Sequence, residues 1–362
     1  MCIKWKVYLK MNILQILPSG EISGIKTYTL NISKGLIKRG HKVVLLCSDP
    51  RTLQEFKLNG VDGYDSIFKI LDILKNEKIQ IVNIQHRTSL IFLVWLLKKK
   101  IKIPYVLTIH NPKYSDIFKI MFSDNKIITL SKAVTNHLIK DLKLPKECIS
   151  ESFLAVDTEK FHPEINVEKQ LTELKLIPDL PVVTFVSRMS YNKGKVVFKI
   201  LDTVHLLPKK FQLLILGDGP LLKSVYESGQ KINRCYNFKI VNVLGRREDL
   251  AEIMNLSDLV IGTATVALEA MACRKPVIGV GRFGYLGIVS EENFKFAVET
   301  LFCDHAAGEE LTTEKIASDI SKIIFDNSYA NSIAEFGLKV IKEKFNIDKA
   351  AEDLEQIFQK YL

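Results

Sequence analysis

Short, unbroken apolar runs alternate with stretches of helical spacing along the whole chain, and this alternation restricts the fold more than any other feature. A continuous apolar run of strand length suits a strand buried on both faces, and such strands separated by helices build a parallel sheet. The first series comprises NILQIL (12–17), VVLLC (43–47), IQIVNI (79–84), PYVLTI (104–109) and KIITL (126–130). Residues 25–39 carry helical spacing, with Ile25, Tyr28, Leu36 and Ile37 among the apolar positions, and Gly40 stands where a helix C-cap glycine belongs. The pattern thins at 155–180, a polar stretch with two prolines that reads as a linker. A second series follows: VVTFVS (182–187), QLLILG (212–217), FKIVNVLG (238–245), LVIG (259–262) and PVIGV (276–280). From Ile347 to the end, Ala350, Ala351, Leu354, Ile357, Phe358 and Tyr361 share one helical face. At about 150 residues per domain, 362 residues suggest two doubly wound α/β domains. Ligands of such sheets bind beyond the carboxyl ends of the strands, so the loops after those ends are where function is sought.

Composition narrows the function classes. Charged residues at 25% and hydrophobic residues at 47% exclude a disordered or fibrous chain. Six cysteines, at 2, 47, 148, 235, 273 and 303, include no CxxC and no zinc spacing, so free thiols in a reducing cytoplasm are expected. No signal peptide is evident, and the longest apolar run, LIFLVWLL (90–97), is far shorter than the roughly 20 residues of a membrane span. Residues 1–165 hold 26 basic and 15 acidic side chains, whereas 166–362 hold 25 and 26, so the whole net charge of +10 originates in the first half. A basic half fits an anionic partner such as a lipid phosphate or membrane surface, or simply a solvated lysine-rich face. LIFLVWLLKKK could add interfacial contact or pack as a core helix. The absence of nucleic-acid motifs makes nucleic acid the least favoured partner.

Three loops carry chemistry. SRMSYNKGK opens a helix with Arg188 and Lys193, two cations where backbone amides and the helix dipole also favour a phosphate or diphosphate; the alternative is two solvated cations. GDGP (217–220) permits a tight turn but lacks a third glycine, so an ordinary strand-to-helix turn is favoured over a dinucleotide fingerprint. In SDLVIGTATVALEAMACRKPVIGVG (257–281), the amides of Thr265 and Val266 could receive a phosphate at the helix start. Glu269, one turn further in, could accept hydrogen bonds from both hydroxyls of a ribose.

Taken in order and spacing, SRMSYNKG, LGDGP, VLGRREDL and ALEAMACRKPVI resemble the retaining glycosyltransferases of family four. GIKTYTLNISKGLIKRGHKVVLL, IPYVLTIHNP, VDTEKFHP and FNIDKAAEDLEQIFQKYL extend the likeness across the chain. The resemblance implies the GT-B architecture, with two Rossmann-like domains facing a cleft. It divides the chain into an acceptor-binding domain over 1–165, a nucleotide-sugar domain over 175–345, and a terminal helix, 346–362, crossing back to the first domain. It further implies that Arg188 and Lys193 hold the donor diphosphate, that Glu269 binds ribose and that Gly245 and Arg246 border the nucleobase. Gly24 would lie against the donor phosphates, and His110 would face the donor sugar.

The departures from the family pattern are specific. The family's sugar-side Glu, eight positions before Glu269, is Ile261 here, and the turn reads GTATVALE in place of Glu-Gly-Phe-Gly. Leu154 and Ala155 replace the usual Asn-Gly before the linker, and Met11 resembles a natural start, which leaves 1–10 as a weakly ordered extension. The implied reaction moves a hexose from a nucleoside diphosphate sugar to an acceptor hydroxyl, with retention. No metal or other cofactor is expected, because Arg188 and Lys193 can steady the leaving diphosphate and no Asp-x-Asp is present. A saccharide or lipid-linked acceptor at the cytoplasmic membrane face, in surface polysaccharide or glycolipid assembly, completes the expectation. The rival readings are a nucleotide-sugar epimerase, a non-catalytic nucleotide-sugar binder and a nicotinamide-dependent oxidoreductase. The last is disfavoured because PSGEISG does not supply GxGxxG.

Overall fold

The computed structural model describes residues 10–17, 24–85, 102–111, 126–207, 211–236 and 238–362. The expected N-terminal extension (all but Lys10), most of the PSGEISG loop and LIFLVWLLKKK lie outside the described residues. The chain divides into two compact units, Met1–Ala155 with Ile347–Leu362, and Val156–Asn346.

The first unit is built on a parallel sheet of β1 (Asn12–Ile16), β2 (Lys42–Leu46), β3 (Asp62–Tyr64), β4 (Ile81–Gln85), β5 (Tyr105–Ile109), β6 (Lys126–Thr129) and β7 (Ile149–Glu151), in the order β3-β2-β1-β4-β5-β6-β7. The order reverses between β1 and β4, the switch point of a doubly wound sheet. Helix α1 (Gly24–Lys38) buries Tyr28, Ile32 and Leu36, at the three-to-four-residue spacing that makes one apolar stripe. Full burial of a side chain such as Ile32 or Leu36 contributes about 1.5–3 kcal/mol. The terminal helix Ile347–Gln359 lies against α1, and Gly35 permits the approach: a methyl there would come within 2.6 Å of the Ile347 carbonyl oxygen. A buried ionic clamp fixes the contact. The Glu355 carboxylate meets Arg39 Nε at 2.7 Å and His41 Nε2 at 3.2 Å, while the Met11 amide donates to His41 Nδ1 at 3.1 Å. Burial lowers the His41 pKa, and the adjacent Glu355 opposes that shift.

The second unit holds β8 (Val182–Val186), β9 (Gln212–Leu216), β10 (Val241–Gly245), β11 (Leu259–Gly262), β12 (Val277–Gly281) and β13 (Gly284–Ile288), in the order β10-β9-β8-β11-β12-β13. All pairings are parallel except that of β13 with β12. The sequence pattern does not anticipate β13, whose glycines resemble a turn. Helices α2 (Gly194–Thr203) and α3 (Thr265–Ala272) follow β8 and β11.

Residues 156–165, assigned from sequence to the first domain, belong to the second unit. The cause is local pairing. The Val156 amide donates to the Phe345 carbonyl at 2.8 Å, and the His162 carbonyl accepts from Asn255 at 3.0 Å. The presumed linker also contains a helix, Glu168–Leu174. Arg247 anchors it through Glu173 at 2.5 Å and through Asp249 at 2.7 Å, and Asp249 in turn accepts from Gln170 at 3.0 Å. The paired guanidinium holds the Asp249 carboxyl down at about 2.

Candidate active site

In the second unit, parallel pairing brings the ends of β8, β9, β10 and β11 to one edge of the sheet. The loop after β8 is clasped by the loop after β9. Met189 donates to the Asp218 carbonyl at 2.7 Å, and Leu221 donates to the Met189 carbonyl at 3.0 Å. Gly217 and Gly219 are required for this embrace. Both have positive φ, and a methyl on Gly219 would come within 2.6 Å of the Met189 carbonyl oxygen. The GDGP turn therefore supports the Arg188–Lys193 loop, and its glycines serve backbone approach within the protein. Asp218 contributes its backbone carbonyl to that clasp.

Lys193 occupies the N-cap position of α2. Its ammonium is 2.9 Å from an Asp304 carboxylate oxygen, with both side chains about one-fifth exposed. On the neighbouring strand, β11 ends at Gly262 and α3 begins at Thr265, with Ala264 in the left-handed region at φ 53°. The two strand ends are close together: a methyl on Gly262 would meet the Val186 carbonyl at 3.6 Å and overlap the Val266 side chain. The Val266 amide donates to the Thr263 carbonyl at 3.2 Å, so it is already engaged. Of the two amides expected from sequence to face a phosphate, Val266 is thus withdrawn by the tight first turn. Thr265 remains.

Glu269 lies one turn into α3 and is buried. Its carboxylate accepts no hydrogen bond among the described residues, and burial drives its pKa up to about 8, countered in part by the charge of Lys160. A buried carboxyl without a partner is poised for a ligand that donates hydrogen bonds. Gly245 closes β10 with φ 66°, and its carbonyl accepts from the Gly217 amide at 2.8 Å. Arg246 follows it, half-exposed, 3.8 Å from Glu248. Ile261 is fully buried in the core of the unit, paired with Phe185. The position of the family's sugar-side acid is therefore inside a strand.

Gly24 and His110 belong to the first unit, after β1 and β5 respectively, so both lie at the carboxyl edge of that unit's sheet. His110 Nε2 is 2.8 Å from the Gln85 amide oxygen, and Gln85 Nε2 donates to the Gln15 oxygen at 2.9 Å. Tyr28 meets the imidazole edge-on at a centroid separation of 5.3 Å. Sequence reasoning missed Gln85, Asp304 and Thr263. Gln85 closes β4 at the carboxyl edge of the sheet, directly after the IQIVNI run, a position that marks it in the sequence. Asp304 has no such mark.

Two family models match the chain in tandem, Glycosyltransferase Family 4 over residues 22–160 and Glycosyl transferases group 1 over residues 180–308. The chain belongs to the GT-B glycosyltransferases. A glycosyltransferase from Rickettsia africae superposes with a TM-score of 0.80 at 20% identity, covering 98% of this chain and 99% of that one. HepE of Anabaena, crystallised with UDP-glucose, superposes with a TM-score of 0.73 at 17% identity, covering 97% and 99%. Alpha-monoglucosyldiacylglycerol synthase of Streptococcus pneumoniae is 22% identical, over 94% of this chain and 89% of its own length. The GT-B architecture expected from sequence is the architecture observed. Among the described residues no helix is long and apolar enough to cross a membrane, and no group of three His, Cys, Asp or Glu side chains is placed to hold a metal.

Proposed function

We propose that the chain transfers a hexose from a UDP-sugar to an acceptor hydroxyl with retention of anomeric configuration, in the assembly of a cell-surface glycan or glycolipid. The observation that carries the reading is the partnerless, buried carboxyl of Glu269, one turn behind a helix start that adjoins the Lys193 loop. A diphosphate bound at Arg188, Lys193 and the Thr265 amide leaves its ribose hydroxyls one helical turn away, where Glu269 accepts them. Gly245 and Arg246, at the end of β10, border the base.

As the glycosidic bond lengthens, negative charge grows on the leaving diphosphate, and fixed cations and amide dipoles offset it best because they need no reorganisation. No metal or cofactor is assigned a role. His110, held by Gln85 and Tyr28, is the catalytic candidate within the first unit. The first unit binds the acceptor, and its excess of basic side chains suits a phosphate-bearing or lipid-linked one at an anionic membrane face. The name of the pneumococcal relative, a glycolipid synthase, supports that class.

Calorimetric titration with UDP tests the donor site. Wild type is expected to bind, and Arg188→Ala and Lys193→Ala to bind at least tenfold more weakly with unchanged melting curves. Equal affinities in all three proteins would remove the diphosphate assignment.

A further inference from the structure

We propose that Asp304 recognises the sugar of the donor, taking the part of the acid that this chain lacks at Ile261. The inference rests on the donor-site reading above and deepens it.

Asp304 is presented by an unusual piece of backbone. Leu301, Phe302 and Cys303 all lie in the left-handed region, at φ 52°, 55° and 61°. Each such residue is sterically costly, and three in succession persist only where surrounding groups enforce them. Here they do. The Thr263 hydroxyl is within hydrogen-bond distance of the carbonyls of both Leu301 and Phe302, at 3.1 and 3.0 Å. The Thr300 hydroxyl accepts from the Cys303 amide at 3.2 Å, and Phe283 donates to the Cys303 carbonyl at 2.9 Å. Gly281 has no room for a methyl, which would overlap the Cys303 carbonyl group. Thr263 belongs to the turn that opens α3, so the helix start and the acid are parts of one construction.

That construction ends with the Asp304 carboxylate 2.9 Å from Lys193. A carboxylate beside a diphosphate subsite repels the phosphates, so by itself it weakens nucleotide binding. Its placement becomes favourable if it also faces a neutral, hydrogen-bond-donating part of the ligand. In a nucleoside diphosphate sugar that part is the hexose, whose hydroxyls a carboxylate accepts in pairs. The position that would otherwise serve, Ile261, is sealed in the core.

The test is calorimetry on the full chain with UDP, UDP-glucose and UDP-galactose. Asp304→Asn keeps the oxygen that accepts the Arg282 amide at 3.2 Å and removes the charge. Wild type is expected to bind one of the sugar nucleotides more tightly than UDP. Asp304→Asn should bind UDP as tightly or up to tenfold more tightly, yet lose at least tenfold of the sugar's increment. If Asp304→Asn melts early, Asp304→Ser is expected to show the same split. A variant that loses UDP and the sugar nucleotides in equal proportion, or neither, overturns the proposal and leaves the donor site standing. Wild type that binds none of the three removes both readings.

Discussion

Glu269→Gln separates the titration of one buried carboxyl from everything else in the second unit. Folded, the group has a pKa of about 8; unfolded, it returns to 4.5. Between those values the folded chain keeps a proton that the unfolded chain releases. The associated stability is complete below pH 4.5, declines as pH rises and is lost above about 8. At about 1.4 kcal/mol per unit, the decline totals roughly 5 kcal/mol as an upper bound. Glutamine fills the same volume and does not titrate. Urea unfolding at pH 5 and pH 8.5 should therefore show near-equal stability at the lower pH and a Glu269→Gln variant more stable by several kcal/mol at the higher. Identical pH slopes would refute the claim that Glu269 is buried without a partner. The same variant should bind UDP about tenfold more weakly, because neutral hydrogen bonds to the ribose replace charge-assisted ones. In wild type at pH 7, UDP binding should release protons, read from the dependence of the calorimetric heat on buffer ionisation.

Other perturbations test the framework. Glu355→Ala removes the carboxylate that Arg39 and His41 share beneath the terminal helix and should cost about 1–3 kcal/mol of first-unit stability in denaturant melts. Gly219→Ala places a methyl against the Met189 carbonyl and should loosen the Arg188–Lys193 loop, lowering UDP affinity at least tenfold with a modest fall in Tm. Gly281→Ala displaces the left-handed turn and is expected to destabilise the second unit by more than 2 kcal/mol, as judged by thermal unfolding.

The strand series was readable because strands buried on both faces of a parallel sheet are largely apolar, as in the VVLL of β2 and the LVIG of β11. Edge strands carry no such requirement. Asp62–Tyr64 and Ile149–Glu151 are short and partly exposed, and β13 has glycine at two of its five positions and is antiparallel. The helix at Glu168–Leu174 buries only Gln170, so no apolar stripe marks it. Within the site, Arg188, Lys193 and Glu269 stand out as charges beside apolar strands, and their loops follow predictably. The Val266 amide was misjudged because a helix start closed by a tight first turn looks the same in sequence as an open one. Asp304 was hidden for a deeper reason. Leu-Phe-Cys has no intrinsic tendency towards left-handed backbone, and its conformation is dictated by Thr263 and Gly281, distant in sequence.

A crystal structure with UDP bears on the account most directly. The pyrophosphate should lie between the Lys193 ammonium and the Thr265 amide, with both ribose hydroxyls on the Glu269 carboxylate. UDP bound at any other edge of the second unit, with Glu269 still unpartnered, would contradict it.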